Sequence, residues 1–281
     1  MDKVLTHYAK TSRKAVYNVS MPDLVKVVFD IPINDSFDYI SDDKKVKIGS
    51  RVRVSFGNTT RIGVIIDIIA EDSKSKTYKI KKIDELIDEV PVLTKEMFKT
   101  CKWASSYYHH PIGQVIFSAM TPLHRKQRKE PTSELEIQHS ESFEELILNT
   151  EQKKIYDSLI EDKKKFKVNV IRGVTGSGKT ELYVKLAKKS IEENLQILVM
   201  VPEINLIPQT LERFKKYLKI IPLQYHSNLT PTQKHKVWKA CSKEEQIIVI
   251  GTRSSIFLPF NKLGLIVVDE EHDGSYKQTE M

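Results

Sequence analysis

VNVIRGVTGSGKT at residues 168–180 and LIVVDEEH at residues 265–272 are the two stretches that decide the fold of this chain. The first is a short apolar run that breaks into a glycine-rich turn and ends on Lys179 and Thr180. GVTGSGKT (173–180) fits G-x-x-x-x-G-K-[ST] at every position, between a strand pattern and a helix pattern. Gly173, Gly176 and Gly178 permit backbone shapes and close approaches that a Cβ forbids. Backbone N–H groups across Gly173, Val174, Thr175, Gly176, Ser177 and Gly178, with the helix N-terminus behind them, form a cradle for polyphosphate oxygens. Lys179 places a point charge on the outer phosphates, and Thr180 offers a hydroxyl to Mg²⁺. The second stretch is an apolar strand that ends in acid. Asp269 emerges at the carboxyl edge of the sheet, where it would hold Mg²⁺ through its water shell, and Glu270 would polarise an attacking water. Taken singly, each string also fits a plain turn. Together they read as an NTPase site.

The surroundings agree. QILVMVP (196–202), QIIVIGT (246–252) and LGLIVVDE (263–270) are strand runs, and VNVIRGV (168–174) reads as a further buried strand. Helical patterns fall at 151–161, from Lys179 onward, at 206–218 and at 231–241. Continuous apolar strands separated by helices predict a parallel sheet covered on both faces. The first half has a different texture. VKVVF (25–29), RVRVSFG (51–57) and IGVIIDIIA (62–70) are strand-like, with Pro, Gly, Asn and Asp between them, and predict a small barrel-like β domain. Met97, Phe98, Cys101, Ala104 and Tyr108 recur at helical steps across 94–109. Trp103 and Trp238 lie on helical patterns and are expected in the core. Residues 123–142 are polar and charged and read as linker.

Composition bounds the answer. The 281 residues carry 45 Lys and Arg against 37 Asp and Glu, a net charge of +8. That favours an anionic partner such as nucleic acid. A 40% apolar fraction excludes wholesale disorder. Only two cysteines, Cys101 and Cys241, exclude a disulfide framework and a four-cysteine zinc site within the chain. No apolar run approaches a membrane span and no signal peptide is evident, so a cytoplasmic protein of about two domains is expected.

GVTGSGKTELY (173–183), VMVPEINLIPQT (199–210), IVIGTRSSIF (248–257) and DEEHDGSYKQ (269–278) stand in the order of superfamily-2 DNA helicase motifs. Specifically, they resemble those of the primosomal protein N′ (PriA) family of bacterial replication-restart helicases. FDYI (37–40), RVRVSFG (51–57), RIGVI (61–65) and YYHHPIGQVIFSAM (107–120) resemble the same family's 3′-end DNA-binding domain. The resemblance implies an α/β, multi-domain chain: an extension at 1–23, the DNA-binding domain at 24–122, a linker at 123–149, and the first RecA-like lobe at 150–281. It implies ATP and Mg²⁺ as cofactors, with Gln152 reading adenine and Lys179, Thr180, Asp269 and Glu270 in the roles argued above. Pro202, Glu203 and Gln209, then Gly251, Thr252 and Arg253, fall in segments that line the single-strand track in related enzymes. On residue chemistry alone the segment at 202–209 reads as an ordinary strand-to-helix loop.

In the N-terminal domain the resemblance places Phe37, Asp38 and Gly57 in a pocket for the terminal 3′ nucleotide, with Lys81 or Lys82 on backbone phosphate. An aromatic stacks a base, a carboxylate accepts a hydroxyl or base donor, and glycine leaves room. By itself Asp38 reads as a turn residue. Arg51 and Arg53 read equally as a solvated strand face or a phosphate rail. His109 and His110 lack a third ligand nearby and read as loop packing. His272, within DEEH, is implied to couple nucleotide to DNA.

Two departures from the family stand out. The winged-helix domain usual between the two matched parts has no room in residues 123–149, and the sequence ends soon after DEEHDGSYKQ, before a second lobe and a zinc region. The expectation is therefore a partial chain of a 3′→5′ replication-restart helicase. Such a helicase recognises stalled forks and helps reload the replicative helicase, with single-stranded-DNA-binding protein and primosome components as partners. The chain alone is expected to bind forked or single-stranded DNA and nucleotide without unwinding. A stand-alone 3′-end DNA-binding module with a vestigial nucleotide site is the alternative. An unrelated P-loop kinase or transport ATPase leaves residues 24–122 unused.

Overall fold

The computed structural model describes residues 23–70, 80–126, 135–140, 143–160, 166–174, 176–243 and 245–277. Five strands open the described chain: β1 (Asp23–Val28), β2 (Phe37–Ser41), β3 (Arg51–Phe56), β4 (Thr59–Ala70) and β5 (Lys81–Leu86). They close into a barrel in the order β1-β2-β5-β3-β4. The period-two side-chain rule explains why β1 is apolar on both faces. Val25 and Val27 point into the barrel with Val52, Val54 and Ile65. Val28 and Val64 point outward, onto two helices, α1 (Lys95–Tyr107) and α2 (Ile112–Ala119). Thr94 caps α1 by accepting from the Met97 N–H, and Met97, Cys101 and Ala104 form its buried stripe. Gly113 lets α2 lie directly on the Phe29 backbone, where any Cβ would collide.

The expectation for Trp103 is corrected here. It lies two residues past Cys101, on the opposite face of α1, and is 59% exposed, stacked on Tyr107. Trp238 is buried, as expected.

The second half contains α3 (Thr150–Ile160), α4 (Lys179–Glu192), β6 (Gln196–Met200), α5 (Ile207–Tyr217), β7 (Leu223–Tyr225), α6 (Pro231–Ser242), β8 (Ile248–Gly251) and β9 (Leu263–Val268). The four strands form a parallel sheet in the order β7-β8-β6-β9. Ile197, Val199, Ile248 and Ile250 face α4 and α5, while Leu198, Met200 and Val249 face α6. Both faces are therefore buried, as a parallel sheet requires. The α6 face shares one apolar cluster with α1 and α2, running from Val28 and Cys101 to Trp238 and Cys241. The barrel, its two helices and the sheet layer are thus packed through a common core.

Two further expectations are corrected. Residues 168–174 form no named strand, and Phe166, Val168 and Val170 are exposed. An apolar run marks a capacity for burial, but a parallel strand is buried only when a neighbour pairs with it. Among the described residues β9 is the outermost strand of the sheet, and Leu263, Ile266 and Val268 stay partly open on it. The stretch read as linker is also structured over part of its length. The Ile221 N–H donates to Gln138 O, the Ser140 N–H to Lys219 O and the Glu144 N–H to Lys216 O, and Leu146 is buried. Backbone pairing needs no apolar side chains, so composition alone did not show it.

Candidate nucleotide and DNA sites

The loop that carries the motif is positioned by glycine. Gly176 and Gly178 adopt φ of 81° and 82°, a region that favours residues lacking Cβ. At Gly178 a Cβ would strike the amide nitrogen of Gln152. Gln152 sits in the first turn of α3, where its backbone N–H donates to Asn149 Oδ1 (2.8 Å) and its Oε1 accepts from the Asn149 N–H (2.9 Å). That exchange leaves Nε2 to donate to the carbonyl of Gly178 at 3.2 Å. The residue expected to read adenine is therefore bonded to the glycine-rich loop. Thr175 lies outside the described residues.

Lys179 opens α4 and folds back over the loop, donating to the carbonyl of Gly173 at 2.8 Å, with Glu270 Oε1 4.0 Å away. Thr180 Oγ1 accepts from Arg213 of α5 at 2.8 Å. Asp269 follows β9 at the sheet's carboxyl edge, its N–H donating to Met200 O. Its carboxylate accepts from the Tyr183 hydroxyl at 3.3 Å, and its carbonyl from the Tyr276 hydroxyl at 2.9 Å. Burial first, and then the charge of Asp269, push both phenols well above the usual tyrosine range, so both remain donors. Glu270 adopts φ of 47° and stands 3.6 Å from His272 Nε2. The structure thus gathers Lys179, Asp269 and Glu270 around one edge of the sheet, with Thr180 beside Lys179 on α4.

Arg213, Tyr183 and Tyr276 were missed from the sequence. Tyr183 had a usable signal, since it lies one helical turn after Thr180 and therefore faces the same way. Arg213 had none, because its approach depends on α5 packing against α4.

The segments proposed for a single-strand track also lie at the carboxyl edge. Pro202 and Glu203 follow β6, and Gln209 is exposed in the first turns of α5. Gly251 ends β8 against the carbonyl of Tyr225, where a Cβ would collide, and Arg253 donates to Ser275 O at 3.3 Å.

In the barrel, Phe37 and Asp38 open β2. The Phe37 ring meets Phe56 edge-on at 4.9 Å and lies 5.5 Å from Phe29. Asp38 is a strand residue, not a turn residue. The register sets it opposite Lys26, and the two side chains pair at 3.3 Å. Gly57 forms the β3–β4 turn at φ 59° with open space where a Cβ would stand. Lys81 reaches to 3.4 Å from the Gly57 carbonyl, whereas Lys82 pairs with Asp42 at 2.6 Å. Phe37, Gly57 and Lys81 are thereby gathered, and Lys82 is engaged elsewhere.

Both readings of Arg51 are corrected, whereas Arg53 stays on a part-exposed strand face. Arg51 is 3% exposed, with Nε and Nη2 on the carboxylate of Asp88 and Nη1 on the carbonyl of His124. Arg53 pairs with Glu85. The barrel closes with β5 beside β3, and the Glu85 carboxylate opposite Arg53 comes from that neighbouring strand. His109 and His110 are exposed, with His109 at φ 50°. Among the described residues no helix is long and apolar enough to cross a membrane.

A glycine-rich loop and an acidic strand end on a parallel sheet, joined to a closed β barrel, define the class as a P-loop helicase-type lobe with an appended β domain. Family comparison agrees on both halves. Residues 26–121 match the PriA 3′ DNA-binding domain, and residues 149–280 match the DEAD/DEAH box helicase family. Replication restart protein PriA of Rickettsia prowazekii is 36% identical over 251 residues, covering 88% of this chain and 37% of that protein. The Haemophilus influenzae protein of that name is 29% identical over 330 residues, covering 91% and 45%. The Bacillus subtilis protein is 41% identical over 140 residues, covering 49% and 17%. Over most of its length the chain is thus similar to PriA replication-restart proteins. It spans less than half the length of these relatives.

Proposed function

We propose that this chain joins a reader of DNA 3′ ends to the first nucleotide-binding lobe of a 3′→5′ ATP-dependent DNA helicase that acts in replication restart. The observation that carries this reading is the convergence of Lys179, Asp269 and Glu270 at one sheet edge, in the same chain as the barrel. The domain limits that fit are 24–122 for DNA and 150–281 for nucleotide, in a cytoplasmic protein. The complete helicase recognises stalled forks and helps reload the replicative helicase, beside single-stranded-DNA-binding protein and primosome components.

The donor set suits ATP with Mg²⁺. The loop is shaped by glycines whose Cβ positions are open or filled by neighbours, and the hydroxyl of Thr180 and the carboxylate of Asp269 are oxygen donors of the kind Mg²⁺ takes. When bound, Mg²⁺ neutralises charge on the phosphate oxygens. Lys179 leaves the Gly173 carbonyl to meet the outer phosphates. Tyr183 and Tyr276 hold Asp269 in place, Glu270 orients the attacking water and accepts its proton, and Gln152 ties adenine recognition to the loop. Thr180, one residue on in α4, faces the same edge through its hydroxyl.

The chain by itself binds fork DNA and nucleotide but does not unwind. The exposed edge of β9 and the unpaired segment 166–174 support this, because the segment leading into the loop has no sheet neighbour among the described residues to brace it. The test is fluorescence-anisotropy binding to a forked DNA whose leading-strand 3′ end is either free or phosphate-blocked, with and without ATP and Mg²⁺. Tighter binding to the free end is expected. Equal binding to both ends removes the pocket reading, and strand separation by the 281-residue chain removes the claim that it does not unwind.

A further inference from the structure

At the end of the barrel that carries the β3–β4 turn, beside Thr60 and Arg61, lies an open cavity of about 260 Å³. Its floor is apolar and buried: Phe29 and Phe117 are each 2% exposed, with Ile62 beside them. Gly63 and Gly113 make this floor possible, because a Cβ on either would strike Phe29 or its strand neighbour, and their absence lets β1, β4 and α2 converge. The rim is charged. Arg125 stands 3.7 Å from Asp30 with both side chains nearly half exposed, and Arg61 lies with its guanidinium 5.4 Å from the Phe56 ring centre. The rim thus carries two guanidiniums against one carboxylate. Neither arginine belongs to the residues assigned to the 3′-end pocket, and neither is absorbed by the nucleotide site.

We propose that this cavity is a second DNA subsite, which takes one phosphate-flanked nucleotide of the strand whose 3′ end enters the Phe37 pocket. The volume suits one nucleotide and not a base pair. The apolar floor suits a base or sugar face, and paired guanidiniums at the rim suit a backbone phosphate. The aromatic cluster makes the two places continuous. Phe29 floors the cavity and also meets Phe37 at 5.5 Å and Phe56 at 4.7 Å, so one ring separates the sites. Asp30 holds Arg125 when no strand is present, and the phosphate displaces it. The inference rests on the DNA-binding reading above but uses different residues.

The test is anisotropy binding of the 281-residue chain to a fluorescein-labelled fork between about 50 and 300 mM salt, from roughly threefold below to twofold above physiological strength. The variants are Arg61→Gln, Arg125→Gln, Asp30→Asn and the charge-retaining Arg61→Lys and Arg125→Lys. Each glutamine variant should weaken binding about threefold to tenfold near 0.1 M salt and lower the slope of log affinity against log salt by about one. The preference for a free over a blocked 3′ end should survive, which separates this subsite from the Phe37 pocket. Both lysine variants should restore the slope, and Asp30→Asn should tighten binding. Unchanged affinity and slope in both glutamine variants overturn the proposal, as does a loss that the lysine variants fail to rescue. Competition with dAMP distinguishes the source of the nucleotide: a strand site is displaced by an oligonucleotide at far lower concentration than by dAMP. Equal displacement by dAMP, or stronger displacement by an oligoglutamate peptide, removes the assignment to a DNA strand.

Discussion

Asp88→Ala probes the contact that joins the barrel to the rest of the molecule. Asp88 accepts from Arg51 Nε at 2.9 Å, from Arg51 Nη2 at 2.6 Å and from the Arg51 backbone N–H at 2.9 Å. The side chains are 4% and 9% exposed. Arg51 Nη1 holds the carbonyl of His124, whose ring packs on His235 and Trp238 of α6 at 4.9 and 5.2 Å. Removing the carboxylate leaves a buried guanidinium with most of its charge uncompensated, which costs about 3–5 kcal/mol. With an unfolding entropy near 2.1 cal/mol/K per residue, a chain of this length loses roughly 5–8 °C in Tm. Circular dichroism melting at 222 nm measures this. The double variant Arg51→Met with Asp88→Leu keeps the volume apolar and should recover most of the loss. A Tm within about 1 °C of the parent for Asp88→Ala, inside the range of ordinary surface changes, refutes the reasoning. So does a double variant no better than the single.

Three other outcomes are expected. Gly178→Ala forces a φ of 82° on alanine, a penalty of about 1–2 kcal/mol, and displaces Gln152 from the loop, so fluorescent ATP-analogue affinity should fall about tenfold; unchanged affinity would mean the loop tolerates a Cβ. Cys101 and Cys241 are both buried, and burial pushes the Cys101 thiol up to about 11, so a thiol reagent at pH 8 should label neither in the folded chain and both in denaturant. The folded Tyr183 and Tyr276 hydroxyls titrate above 10, so their contribution to stability is fully present below pH 10 and is lost as pH rises through their folded values. Tm measured from pH 9 to 11.5 should therefore fall less steeply in Tyr183→Phe and Tyr276→Phe than in the parent.

Much of the molecule was legible because its signals are local. The glycines, Lys179 and Thr180 of the loop declare themselves by spacing, since a turn of that shape needs those residues in that order. The alternation in RVRVSFG announces β3, and Met97, Cys101 and Ala104 at helical steps announce α1. The judgements that failed all depended on a neighbour. Arg51 reads as a surface residue until β5 closes the barrel and the chain beyond it delivers Asp88. Trp103 shares a helical run with buried residues, yet a rotation of two positions turns it to solvent. The run VNVIRGV at 168–174 reads as a buried strand, but only a partner strand can bury it.

Residue order alone was enough to announce an α/β chain with a glycine-rich loop, an acidic strand end and a net basic charge. Periodicity, glycine placement and charge count are properties of neighbouring residues along the chain, and no folding is needed to see them. It took the packed elements to bring Arg213 to Thr180, Tyr183 and Tyr276 to Asp269, and Phe29 against Phe37 and Phe56. Those contacts join residues 7 to 86 positions apart, and the approach of the elements that carry them is set by packing against a shared core.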